Sequence, residues 1–479
     1  MVDAVVVGSG PNGLAAAVTL ARAGLEVEVH EAADTVGGGL RTQELTEPGF
    51  LHDICSAIHP MVLTSPFFRA WRATERVDYL IPDASYGHPL DRGRAGIAYR
   101  DLDRTAGTLG VDGVEWRHLF QPIVDRMEAV TDFTLNPLLP VPKRLFDVIP
   151  FGLRTLHAGS AAWLSRFEGT VAPGMLAGVM AHTITRLPGL SAAGAGLVLG
   201  ANAHAGGWPV PIGGAQSLAD AMVADLEAHG GRVVTGHRVT AVSDLPDAAA
   251  VLFDTSPRDL VTAVGSRLPV GYARKLGRFR YGNAVYKIDL AVSEPIPWKN
   301  RGLLEAPTVH LGGTAQEIAA AENEVAAGRH AERPYVLLAQ PSLFDSSRAP
   351  EGKHTVWAYC HVPNGSRVDM SDAIIDQIER FAPGFRDTII AQAGRDTYVV
   401  EQENPNDIGG DISGGEPSLA QLLRRPVVSR EPWRTPADGI YLCSGSASPG
   451  MGVHGMPGFL AAQSALRNTF RLPVPSLAP

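Results

Sequence analysis

The hydrophobic pattern changes period along the chain, and each change predicts an element. Residues 4–7 are a short apolar run, as long as a buried strand. Residues 14–24 place Leu14, Ala17, Val18 and Ala21 on one helical stripe, with Gly24 as the stop. Residues 25–30 are apolar again and predict a second strand. Strand, helix and strand in such quick succession form a β-α-β unit. A hairpin-like stretch follows to residue 50.

Between residues 64 and 206 strand signals are weak, and this stretch reads as a mostly helical insertion. Trp116, Leu119, Phe120, Ile123 and Met127 predict one amphipathic helix over 116–130. Residues 145–156 and 159–167 also read as helices, with Pro137, Pro140, Pro142 and Pro150 as interruptions. The most apolar window, 187–203, contains Gly, Pro and Asn, so it reads as a buried helix and not a membrane span. A helix at 215–227 and strands at 232–235, 239–242 and 248–254 come next. Strands are then expected at 281–292, 308–313, 335–340 and 355–362, with a helix at 373–381. A Gly- and Asn-rich loop covers 404–416. A strand over 439–443, a Gly-rich turn and a helix over 459–470 close the chain.

Composition narrows the classes. A chain of 479 residues suits two interleaved domains, and 45% hydrophobic against 19% charged residues is globular. The net charge of −9 argues against nucleic acid as a partner, because phosphate binding wants a basic field. Cys55, Cys360 and Cys443 are far apart, which argues against a disulfide framework, a C-x-x-C pair or a metal site. They suit a reducing, cytoplasmic setting. The first strand begins almost at the N-terminus and leaves no room for a signal peptide.

The chemistry begins where the first strand ends. Gly8-Ser9-Gly10-Pro11-Asn12-Gly13 matches G-x-G-x-x-G, and Glu31 ends the second strand 21 residues beyond Gly10. Gly8 allows the tight turn, Gly10 the approach of a pyrophosphate, and Gly13 the packing of helix on strand. The helix N-terminus faces the phosphates. Glu31 can accept from two ribose hydroxyls and would repel a 2′-phosphate. Gly37-Gly38-Gly39-Leu40-Arg41-Thr42 then fits G-G-x-x-R-T. Later, Pro211-Ile212-Gly213-Gly214 precedes a helix and a strand, and Gly445-Ser446 leads to Gly452-Val453-His454-Gly455-Met456 before the last helix.

These four segments, in this order, resemble the phytoene desaturase-like FAD oxidoreductases, in the amine oxidase and carotenoid desaturase branch of the glutathione-reductase-type fold. The resemblance implies a Rossmann-like α/β FAD-binding domain over 1–70, 207–265 and 430–479. It is interleaved with an α+β substrate domain over 71–206 and 266–429, a helical insertion plus a mixed sheet. It implies FAD as cofactor, with Gly37, Gly38, Gly39, Arg41 and Thr42 beside it and the Val239 backbone on the adenine. Gly445 and Ser446 would lie near pyrophosphate and ribitol, and His454, Gly455 and Met456 near the ring. In such families the segment after the second glycine run crosses the flavin, which brings in His52, Asp53, Ser56 and His59. The other reading of Ser56 and His59 is a loop that satisfies its own backbone.

His454 either faces the ring or caps its turn. Lys287 stands in an apolar strand ahead of Trp298, and a buried lysine needs a partner. It holds a water against the flavin, orients a substrate, or pairs with a nearby acid such as Asp289 or Glu294. The expected activity is hydride removal from a largely apolar small molecule by the flavin N5, with oxygen or a quinone as final acceptor. Two rivals are a non-redox double-bond isomerase and a flavin-bearing protein that binds a lipid or protein partner. Peripheral membrane contact and oligomeric state are left open. A second G-x-G-x-x-G is absent, so no separate NADPH domain is expected.

Overall fold

The computed structural model describes residues 2–138 and 144–478; Pro140 and Pro142 lie outside them. Two sheets organise the chain. The first has five parallel strands, in the order Ile440–Leu442, Ala250–Phe253, Ala4–Val7, Val27–His30 and Arg232–Val234. Ala4–Val7 is central and buried at every position. That burial explains its unbroken apolar run, since a parallel strand is covered on both faces. The helix Pro11–Arg22 leaves this strand at once, with Pro11 at its first position, where a missing N–H costs nothing.

The second sheet has seven strands, in the order Ile389–Arg395, Ala284–Val292, His354–Val362, Val336–Ala339, Thr308–Leu311, Ala84–Leu90 and Arg94–Tyr99. One pair, Thr308–Leu311 with Ala84–Leu90, is parallel, and the other pairs are antiparallel. Its two faces differ in chemistry. One carries Ile288, Leu290, Leu338, Val356 and Ala358, packed with Ile374 and Ile378 of the helix Ser371–Phe381. The other carries Lys287, Asp289, His310, Trp357, Tyr359 and His361, and the helices Val171–Ala181 and Leu190–Ala205 lie on this side. Period-2 alternation places these two sets back to back.

Four local expectations differ from the structure. The helix expected over 116–130 is two helices, Gly113–Val124 and Met127–Thr134. Pro122 cannot donate to the His118 carbonyl, and Arg154 takes that carbonyl instead, through Nε at 3.1 Å and a terminal nitrogen at 2.8 Å. Residues 159–167 form successive turns, with Trp163 and Phe167 donating three residues back. The Ser160 hydroxyl competes for the local backbone there. Residues 239–242 do not make the expected strand. Asp244 Oδ2 accepts from the Thr240 and Ala241 amides, both at 2.9 Å, and folds the segment into a turn. The insertion also contributes Ala84–Leu90 and Arg94–Tyr99; Ala84–Leu90 is buried at all seven positions and so shows no alternation.

The apolar window is the largely buried helix Leu190–Ala205. Among the described residues no helix is long and apolar enough to cross a membrane. The closing helix begins at Met456, earlier than expected, and ends at Ala465 in a wider final turn, Leu466–Phe470.

Candidate cofactor and substrate cavity

A cavity of about 1240 Å³ runs between the two sheets. At one end, Glu31 holds three hydrogen bonds. Oε2 accepts from the Ser9 amide at 2.9 Å and hydroxyl at 2.6 Å, and Oε1 from the Ala33 amide at 2.9 Å. The carboxylate is therefore fixed at the strand end beside Val239, which also lines the cavity. His30 and His237 stand next to it, with their Nδ1 atoms 2.6 Å apart.

Two glycine loops meet in the middle. The Gly37 amide donates to the Ser9 carbonyl and hydroxyl, both at 3.1 Å, joining the second loop to the first. Gly8, Gly10, Pro11 and Asn12 line the cavity, as do Gly38, Gly39 and Arg41. Gly8 has φ of +100°, and a Cβ on Gly13 would stand 2.1 Å from the Gly8 carbonyl oxygen, so neither position admits a side chain. The first turn of the helix Pro11–Arg22 contains no acid of its own. Asn12 Oδ1 is buried without a partner. Arg41 donates to the Gly38 carbonyl at 3.0 Å and the Glu403 carbonyl at 2.5 Å.

Sequence reasoning passed over two charged residues here. Asp254 ends the strand Ala250–Phe253 and accepts from the Gly13 amide at 2.8 Å. Burial, with repulsion from Glu31, pushes its carboxyl up to about 7. An acid ending a third strand of a parallel sheet was a readable signal, because such strand ends face the ligand crevice. Arg425 is buried and lines the cavity, donating to the Gly445 carbonyl at 3.0 Å and the Ser413 carbonyl at 2.5 Å. Burial lowers it to about 10, which leaves it a cation at neutral pH. Nothing in its local sequence marks it. Gly445 and Ser446 line the cavity alongside it, and the Ser446 hydroxyl donates to the Gly414 carbonyl at 2.8 Å.

His454 lines the cavity, but both of its ring nitrogens serve the turn. Nδ1 accepts from the Met456 amide at 3.2 Å, and Nε2 donates to the Met451 carbonyl at 3.0 Å. Burial lowers it to about 4, so it is neutral with one tautomer fixed. The far end of the cavity is an apolar chamber walled by Trp208, Trp357, Tyr359, Leu337, Val198 and Met61. Ser56 lines it near Cys55.

Nine of the expected residues stand outside the lining. Gly13 and Gly37 act through packing and the backbone, as described. The Thr42 hydroxyl donates to Asp53 at 2.7 Å and accepts from the Gln216 amide, tying the second loop to another helix start. Gly455 packs near Phe67, and Met456 belongs to the core. His59 is buried against the Tyr79 hydroxyl at 3.2 Å, and burial lowers it to about 4. Lys287 pairs with Asp289, which also takes Arg395 at 2.7 Å. Its Nζ is 5.5 Å from the Trp357 ring centre, and Trp357 and Tyr359, not Lys287, face the chamber. Lys287 thus has the local acid partner that one of its readings required. His52, 3.5 Å from Asp289, and Asp53, paired with Arg348 at 2.6 Å, extend this buried charge network.

Residues 6–73 match the family described as NAD(P)-binding Rossmann-like domain. The rat pyridine nucleotide-disulfide oxidoreductase domain-containing protein 2 is 25% identical over 97% of this chain and 93% of its own length. A lycopene-forming phytoene desaturase of a Paracoccus species is 23% identical, with 95% of each chain covered. Among solved structures, putrescine oxidase bound to putrescine superposes with a TM-score of 0.61 at 16% identity, covering 98% of this chain and 99% of that one. This last likeness concerns the fold.

Proposed function

We propose that the chain is an oxidoreductase of the branch that holds the carotenoid desaturases and amine oxidases, that its cavity holds FAD and that the chamber beyond takes a largely apolar substrate. The observation that carries this reading is the continuity of one cavity from Glu31, past two glycine loops, to a chamber walled by tryptophans. A volume of about 1240 Å³ exceeds the roughly 300–1,000 Å³ of an ordinary small-molecule site and leaves room for a dinucleotide and a substrate together.

The residues present fit the cofactor. Glu31 suits the ribose hydroxyls and disfavours a 2′-phosphate. The Gly10 and Asn12 amides at the helix start suit a pyrophosphate. Asn12 Oδ1 is an unpartnered acceptor there, open to a hydroxyl of the cofactor and not to its phosphate oxygens. Gly38, Gly39 and Arg41 extend the cradle, and Arg425 places a fixed cation behind Gly445 and Ser446. The Val239 backbone lies beside the Glu31 end, where an adenine would sit. When bound, the flavin supplies an acceptor for hydride, with oxygen or a quinone as the final acceptor.

The chain's own residues orient both molecules and exclude water. Trp208, Trp357 and Tyr359 supply a dry wall on which an apolar substrate packs. His454 is neutral and anchored at both nitrogens, so it shapes the start of the closing helix and keeps the proton it holds on Nε2. Lys287 balances Asp289 behind the wall. Domain limits at residues 1–70, 207–265 and 430–479 for the cofactor half, with the remainder for the substrate half, are part of this proposal.

The purified protein should be yellow and release FAD on denaturation. Glu31→Ala should weaken FAD binding by at least about tenfold, the loss of one charge-assisted hydrogen bond. Colourless protein that takes up no added FAD overturns the reading. Anaerobic mixing with substrate should bleach the flavin; product without bleaching would instead favour an isomerase.

A further inference from the structure

The chamber wall contains a pair of histidines. His182 caps the C-terminal end of the helix Val171–Ala181, is half-buried, and lines the chamber. Its Nε2 lies 2.8 Å from Nε2 of His310, which is fully buried in the strand Thr308–Leu311. The His182 ring packs edge-on to Trp208, with centres 5.6 Å apart. His310 packs on Tyr86 at 4.9 Å, and its Nδ1 is buried without a partner.

Two nitrogens at that distance share one proton, so one ring donates and the other accepts. Burial lowers His182 to about 3 and holds His310 well below its usual value, so both rings are neutral at ordinary pH. His310 therefore ties the tautomer of His182 to its own. It leaves His182 Nδ1 as a hydrogen-bonding group with no protein partner among the described residues. Its polar neighbours are engaged. The Thr183 hydroxyl donates to the Met180 carbonyl at 2.8 Å, and the Trp208 indole to the Leu199 carbonyl at 3.2 Å. A polar atom left open in an apolar chamber favours a ligand that brings one matching group to that spot.

We infer that the chamber takes an apolar molecule carrying a hydroxyl group, and that His182 binds that hydroxyl through Nδ1 while His310 holds its ring in place. A hydroxyl both donates and accepts, so it suits either tautomer of the pair. The inference rests on the chamber being the substrate space of the proposed oxidoreductase and sharpens the substrate class.

The test is equilibrium dialysis of the purified protein against decan-1-ol and, separately, undecane, with affinities expressed relative to the aqueous solubility of each. The wild type should prefer the alcohol by about tenfold after that correction, the value of one buried hydrogen bond at the upper end of its range. His182→Phe should bind undecane as well as the wild type does and lose the preference. His182→Leu provides the same comparison if the larger ring disturbs folding. Equal corrected affinities in the wild type, no binding of either probe, or a preference that survives both substitutions would overturn the inference. The absorption spectrum of the same samples reports bound flavin. Its absence would count against the oxidoreductase reading while the alcohol preference remained measurable.

Discussion

Glu31 at one end of the cavity accepts three hydrogen bonds from its own neighbourhood. On the chamber side of the seven-stranded sheet, Tyr86 Oη, His88 Nδ1, His310 Nδ1, Trp357 Nε1 and His361 Nε2 are buried without partners. The cradle is made by short loops whose amides lie next to the groups they serve, so it holds itself together. The chamber wall is made by side chains from the strands Thr308–Leu311, Val336–Ala339 and His354–Val362 and from helices such as Leu190–Ala205, where backbone groups are already paired within each element. Side chains there satisfy one another only in part, as the neutral pair His182–His310 does and the charged group around Asp289 does more fully. An unsatisfied buried polar atom costs about 1–3 kcal/mol. The wall therefore carries more of this cost than the cradle, where Asn12 Oδ1 is also without a partner, and specificity can be built on it.

The largest expected effect breaks the wall. Asp289→Leu strips Lys287 of its partner while Arg395 keeps Glu403 at 2.9 Å, and leaving the buried lysine unpaired costs about 3–5 kcal/mol. Urea unfolding should show it. Lys287→Met should cost less, about 2 kcal/mol, because Arg395 still faces Asp289. Flavin reoxidation in that variant should stay within about threefold of wild type. A larger change would return Lys287 to the chemistry and sink its structural role.

Next, Gly13→Ala breaks the cradle. Its Cβ would sit 2.1 Å from the Gly8 carbonyl oxygen, where neither backbone can yield. Overpacking of this kind costs about 3 kcal/mol. Stability and FAD content should fall together. An alanine variant that keeps full FAD content would mean that the two loops can move apart.

The smallest effect sharpens the comparison through pH. Asp254 in the cradle is raised to about 7 in the folded protein, so between its unfolded and folded values the native state holds the extra proton. Its contribution to stability is present at low pH and is lost as pH rises through about 7. Thermal or urea unfolding should therefore show stability falling by on the order of 2 kcal/mol between pH 5 and pH 8 from this group. Asp254→Asn should flatten that slope. Because Asp254 stands by the loop proposed for the pyrophosphate, FAD binding should take up protons near pH 7, measurable in weakly buffered solution.

The parallel sheet was readable because each of its parts is local. The apolar run, the glycines and Glu31 lie within one β-α-β unit, and loop geometry follows from residues a few positions apart. Strands of the mixed sheet were readable where one face is apolar, as over Ala284–Val292 and His354–Val362. Ala84–Leu90 was not, since burial on both faces erases the alternation. Within Gly113–Val124, Arg154 takes a carbonyl that Pro122 leaves free, and at 239–242 Asp244 captures two amides. Both are competitions that periodicity cannot see.

The amino-acid order by itself determined the two glycine loops, most of whose residues line the cavity, because backbone geometry there depends on neighbours in sequence. Only the tertiary structure decided what the isolated polar residues do. His454 turned both nitrogens to its own turn, Lys287 met Asp289 instead of the chamber, and His59 met Tyr79. Asp254, Arg425 and His182, which is backed by His310 from 128 residues away, reached the cavity from separate segments. A buried polar side chain takes whichever partner folding brings within about 3 Å, and that partner is a property of the packed molecule and not of the adjacent sequence.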